Sequence, residues 1–191
     1  MRVLGVDPGT VATGWGVIDH SEQRLRYVAG GVIRSRGALP QRLMRVYEEA
    51  QRILAAFAPA CVSLEKTFVG ENVQSAFRLG EARGAILVAS AQAGVPVCEY
   101  SPAEIKVAVA GNGRAVKEQM QIMVARLLSL NAAPAGDEAD ALGAAICHLH
   151  TQRFAARVAA SEGFRPLRLF SGSTRRSSPR RRGTARCAPT T

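Results

Sequence analysis

Lysine is almost missing from this chain: of its 25 basic side chains only Lys66, Lys106 and Lys117 are lysines. Aromatic residues make up 5% of it, with a single tryptophan, Trp15. The four cysteines, Cys61, Cys98, Cys147 and Cys187, form no C-x-x-C and no metal-like spacing, and three lie in apolar contexts. That pattern argues against a disulfide framework, zinc binding and thiol chemistry. No apolar run reaches the ~20 residues a membrane helix needs. The first residues, MRVLGVDPG, have neither the apolar core nor the small-residue cleavage site of a signal peptide. A cytoplasmic protein without a membrane segment is expected.

Acid is missing from the C-terminal part. Residues 151–191 hold ten arginines against Glu162 alone, a net of +9, whereas residues 1–150 hold 15 Lys+Arg against 14 Asp+Glu. The overall charge of +10 therefore belongs almost wholly to the tail. From Ser171 onward the chain is built of Arg, Ser, Thr, Gly and Pro without apolar periodicity, and disorder is expected. Such a segment can hold phosphates without sequence preference. The division predicted is a single domain over residues 1–153 and a basic tail over 154–191.

What is present is ample apolar residue for one core, 47% of the chain. RVLGVD, TGWGVID and LRYVAGGVIR read as three strands of an antiparallel meander separated by turn residues. From Leu39 the apolar period lengthens, and Leu43, Val46, Tyr47, Ala50, Ile53, Leu54 and Phe57 mark an amphipathic helix ended before Pro59. A strand, CVSLE, follows, then a helix over 72–93 closed by Gly94, a strand VPVCEY and a helix from the Ser-Pro start to Gly111. Two more helices are expected, one over about 116–130 and one beginning near Asp137. A meander followed by alternating strands and helices predicts an α/β domain with a mixed central five-stranded sheet flanked by helices.

Four carboxylates stand where solubility does not explain them. Asp7 closes the first strand in an Asp-Pro-Gly-Thr turn, and Glu65 closes CVSLE. In AGDEADAL, Asp137, Glu138 and Asp140 crowd a helix start, with Asp137 as the expected N-cap. Asp137 and Asp140 lie about 60° apart in helical projection, so they share a face, while Glu138 points about 100° away, toward solvent. If the strands carrying Asp7 and Glu65 are neighbours, four carboxylates converge and repel one another. Hard divalent cations with oxygen ligands would relieve that, and a pair of them can activate a water and stabilise the leaving oxygen of a phosphodiester. Phosphoryl-transfer hydrolysis is the expected chemistry. His148, about 12 Å farther along the helix than Asp140, is expected to be a structural histidine.

VLGVDPGT, VSLEKTFVGENVQSAFRLGEARG, EYSPAEIKVAVAGNGRAVKEQM and DEADALGAAICHLH, in that order over roughly residues 1–153, together resemble the RuvC family of bacterial Holliday-junction resolvases. The Asp-x-Gly-Thr turn alone is shared with actin-like ATPases, but those need two such lobes and this chain has room for one. The resemblance implies an RNase H-like fold and a homodimer. It also implies Mg²⁺-dependent paired nicks in a four-way DNA junction, in recombination and repair, leaving 5′-phosphate and 3′-hydroxyl ends. Two Mg²⁺ ions per site are expected, with Mn²⁺ as a substitute. The family's catalytic acids fall on Asp7, Glu65, Asp137 and Asp140, the four already singled out by position. Lys106 and Lys117 match its DNA-contacting lysines, Phe68 its base-stacking aromatic, and the segment with Gly80 and Gly84 its dimer-forming helix. A branch-migration motor complex of RuvA and RuvB is the implied partner.

Overall fold

The computed structural model describes residues 1–21, 24–66 and 73–162. Its elements are β1 (Arg2–Asp7), β2 (Ala12–Ser21), β3 (Arg24–Arg34), α1 (Leu39–Phe57), β4 (Cys61–Glu65), α2 (Val73–Gln92), β5 (Val97–Tyr100), α3 (Pro102–Ala110), α4 (Lys117–Leu127) and α5 (Gly136–Glu162). The strands form one sheet in the order β3-β2-β1-β4-β5. The meander β1-β2-β3 is antiparallel, and β1-β4 and β4-β5 are parallel, so the sheet is mixed as expected.

Each face of the sheet carries a core. Leu4, Val6, Val17, Val62 and Leu64 pack with residues of α1 and α2. Val3, Ile18 and Tyr100 pack on the other face with α3, α4 and the fully buried stretch of α5 around Leu142 and Ile146. Side chains alternate along a strand, so Asp7 shares the α5 face with Val3. On β4 the same face carries Ser63, whose hydroxyl donates to the Ala144 carbonyl at 2.7 Å, and therefore Glu65.

Glycines let α5 lie almost on the strand backbones. A Cβ on Gly5 would fall 1.9 Å from the Ala141 carbonyl oxygen, and one on Gly14 would fall 1.8 Å from that of Asp137. Both obstacles are backbone, which cannot swing aside. Gly14→Ala is expected to destabilise the protein by about 3 kcal/mol or more and to displace the start of α5, measurable as a lower urea midpoint.

Three local expectations are corrected. The Ala139 N–H donates to the Ala135 carbonyl at 2.7 Å, so α5 starts at Gly136, two residues earlier than the N-cap reading of Asp137 allows. Asp137 sits inside the first turn, where a carboxylate still meets the positive end of the helix. Helix α4 ends at Leu127 instead of about 130, because Ser129 turns to φ 53° and the Leu130 N–H reaches back to the Ala125 carbonyl. Glu138 does not simply face solvent: it lies over Gly30 of β3 and accepts a hydrogen bond from the Tyr27 hydroxyl at 3.1 Å.

Candidate active site

Asp7 and Glu65 leave adjacent parallel strands side by side, one step past the Val6–Leu64 pairing. The turn after Asp7 is closed by Thr13, whose hydroxyl donates to the Gly9 carbonyl at 2.6 Å and accepts from the Gly9 N–H at 3.2 Å. This fixes where the chain leaves β1. The first turns of α5, lying on β1 and β2, bring Asp137 and Asp140 over the same edge.

The electrostatics couple these four positions. Burial, then the charges of Asp140, Glu65 and Asp137, push the Asp7 carboxyl up to about 7, with Lys117 opposing. Burial and then Asp140 raise Glu65, with Lys106 pulling the other way. Asp140 is raised by burial, against the nearby Lys117. Each shift has the sign expected of acids that are partly desolvated and crowded by like charge.

Two of the three lysines stand at this edge. The Lys117 ammonium is 3.4 Å from Asp140 Oδ2, with its own side chain 57% exposed. It starts α4 and lies over Gly136, the first residue of α5. Lys106 is on α3, whose start is fixed by a capping box in which Ser101 Oγ accepts from the Glu104 N–H at 3.3 Å and the Ser101 N–H donates to Glu104 Oε2 at 2.7 Å. Glu65, Lys106, Lys117 and Asp140 line one cavity of about 220 Å³, together with Ile105 and Met120. That cleft sets two acids beside two ammonium groups, the polarity needed to receive a phosphate beside bound cations.

The family model described as crossover junction endodeoxyribonuclease RuvC matches residues 3–148. The chain belongs to the RuvC family. It is 51% identical over 150 residues to the RuvC crossover junction endodeoxyribonuclease of Cupriavidus metallidurans, covering 78% of this chain and 83% of that one. The RuvC protein of Burkholderia thailandensis is 52% identical over 151 residues, covering 78% and 84%. Thermus thermophilus RuvC in complex with a Holliday junction substrate superimposes with a TM-score of 0.77 at 35% identity, over 81% of this chain and 96% of that one. A yeast mitochondrial Holliday junction resolvase, 13% identical with a TM-score of 0.55, shares the fold. The fold is RNase H-like, and the activity of the RuvC family is endonucleolytic hydrolysis of DNA at crossover junctions.

Of the residues picked from sequence, Asp7, Glu65, Asp137, Asp140, Lys106 and Lys117 are gathered at one sheet edge. Phe68 lies outside the described residues, as does the chain beyond Glu162. His148 is 99% buried, its Nδ1 2.9 Å from the Tyr100 hydroxyl, which is a core position well away from the carboxylates. Tyr27 escaped sequence reasoning: it ties the first turn of α5 to β3 through Glu138, 111 residues away, and a tyrosine in a strand carries no signal of such a partner.

Proposed function

We propose that Asp7, Glu65, Asp137 and Asp140 hold two divalent cations, Mg²⁺ with Mn²⁺ as a substitute, and that the chain acts as a homodimer making paired nicks in opposing strands of a four-way DNA junction. The observation that carries the metal assignment is the convergence of Asp7 and Glu65, at the ends of paired strands, with the acids of the first turn of α5, a crowding that together with burial lifts the Asp7 carboxyl to about 7. Oxygen-only donors at a half-open edge fit a hard cation that keeps some of its waters. Bound there, such cations supply activation of a water for in-line attack and neutralisation of charge on the departing 3′ oxygen, leaving 5′-phosphate and 3′-hydroxyl ends.

The chain's own residues do the rest. Asp7 and Glu65, at the ends of paired strands, provide a rigid base, and Asp137 and Asp140 close it from the first turn of α5. Lys106 and Lys117 hold the phosphate backbone against the site and offset its negative field. Phe68 stacks on a base at the branch point.

One such site makes one cut, so two related by two-fold symmetry are needed for a symmetric pair. Helix α2 suits that interface: Cβ atoms added at Gly80 or Gly84 meet nothing within 4 Å, and Phe77, Leu79 and Val88 are exposed large apolar residues on it. Branch-migration proteins of the RuvA and RuvB type are the partners that would hand over the junction.

The experiment is a nicking assay on a four-way junction beside a linear duplex of the same sequence, with Mg²⁺ and with a chelator. The tail is tested separately. Truncation after Glu162 removes eight arginines, Arg165, Arg168, Arg175, Arg176, Arg180, Arg181, Arg182 and Arg186. It is expected to weaken junction binding and to flatten the salt dependence of log K by roughly 0.9 for each phosphate that is no longer neutralised. An unchanged slope would make the arginines spectators.

A further inference from the structure

We infer that Cys61, Cys98 and His148 form a second binding site, for one thiophilic d¹⁰ cation of the Zn²⁺ or Cu⁺ class, distinct from the carboxylate site. One potential ligand atom from each of the three lies within 4.8 Å of the others. No sequence spacing announces the group, because the fold assembles it from three elements. Cys61 opens β4, and Cys98 on β5 pairs with Ser63, two residues on, so both thiols point to the face covered by α5, where His148 stands.

The histidine supplies the independent sign of a ligand. It is 1% exposed, its Nδ1 is held 2.9 Å from the Tyr100 hydroxyl, and its Nε2 is buried without a hydrogen-bond partner. With either tautomer Nε2 stays unsatisfied, a costly state for a buried polar atom. Anchoring one ring nitrogen on an oxygen while the other is left for a cation is how proteins orient ligating imidazoles. Burial also depresses the basicity of His148, which favours the neutral, ligating ring.

The chemistry selects the cation. Two sulfurs and one imidazole nitrogen in a mostly buried setting suit soft or borderline ions and discriminate against Mg²⁺. Burial, then the neighbouring Cys98, pushes the Cys61 thiol up to about 12, so an ion must displace thiol protons to enter. For Zn²⁺, two S–H bonds break, two Zn–S bonds and one Zn–N bond form, and two protons pass to solvent, leaving an uncharged centre with no change of oxidation state. Cu⁺ suits the three-fold ligand count; displacing one thiol proton to solvent leaves an uncharged centre, and displacing both leaves a net charge of −1, again with no change of oxidation state. Cys98, the half-buried member, gives access from outside.

The site stands apart from the nuclease centre. His148 is eight residues beyond Asp140, about 12 Å along α5, and Cys61 is four residues before Glu65, about 13 Å along β4. A cation there would nonetheless link the strand carrying Glu65 to the helix carrying Asp137 and Asp140. Its expected effect is to stiffen the frame of the active site, without taking part in cleavage.

The test uses the full-length reduced chain under anaerobic conditions. It is titrated with Zn²⁺ and separately with Cu⁺ against a competing chelator, with Co²⁺ as the absorbing probe for the zinc arm. The expected result is one equivalent bound in at least one arm, with sulfur-to-cobalt charge-transfer absorption if the site takes zinc, and a raised Tm of the loaded protein. Cys98→Ser should lose this binding while Cys187→Ser, in the tail, keeps it. Absence of stoichiometric binding to the wild-type protein in both arms overturns the inference, and that result needs no variant to fold. Binding that survives Cys98→Ser, or is abolished by Cys187→Ser, overturns it too.

Discussion

Asp7→Asn is expected to abolish detectable nicking of a four-way junction and, in the absence of divalent cations, to make the protein more stable at pH 8. Both effects come from one carboxylate held where its charge is costly. In the folded chain the Asp7 carboxyl is raised from 3.8 to about 7, chiefly by burial and then by Asp140, Glu65 and Asp137. The folded state therefore binds this proton more tightly than the unfolded one. Stability falls as pH rises from about 4 to about 7, and the full penalty is present above that. At about 1.4 kcal/mol per pH unit the upper bound is about 4 kcal/mol, which relaxation of the neighbouring acids and Lys117 reduces. Asparagine removes the charge at similar volume, so urea unfolding of the variant should show a higher midpoint at pH 8 and a flatter pH dependence. Millimolar Mg²⁺ should stabilise the wild type more than Asp7→Asn, because the cations act on the repulsion the variant lacks.

The second large effect separates three acids that are neighbours in sequence. Asp140→Asn and Asp137→Asn should each lower cleavage by at least ~10³-fold, since each would remove a donor to ions that supply several kcal/mol of transition-state stabilisation. Junction affinity should hold or rise, because a negative charge facing the phosphates is gone while Lys106 remains. For Asp140 the effect on binding should be the larger, as its removal frees Lys117, now 3.4 Å from Oδ2, to meet DNA. Glu138→Gln is expected to stay within a few-fold of wild type, since an amide oxygen can accept the Tyr27 hydrogen bond as the carboxylate does. Single-turnover nicking and filter binding on the same junction distinguish the three.

The four acids were visible in the sequence for a physical reason. Carboxylates closing apolar strands, as Asp7 and Glu65 do, have no capping role, and an i, i+3 pair on one helix face has one direction to point. The adjacency of β1 and β4 was only a condition there, because strand order depends on pairings between residues far apart in the chain; the observed order β3-β2-β1-β4-β5 supplies it. A glycine inside a strand carries no signal in sequence of what will lie against it. Gly5 and Gly14 are what lets α5 settle against the sheet and bring its acids to the edge. The local tie between Glu138 and Tyr27 was illegible for the same reason as the Cys61–Cys98–His148 grouping: both join elements that meet only after the sheet is assembled.

Direct assay of the wild-type protein on a four-way junction with labelled opposing strands tests the central claim. With Mg²⁺, symmetric nicks with ligatable 5′-phosphate ends are expected in both opposing strands, with none on the linear duplex and none on either substrate in the presence of a chelator. Cleavage that persists at the same rate under chelation, or that treats the linear duplex like the junction, would contradict it.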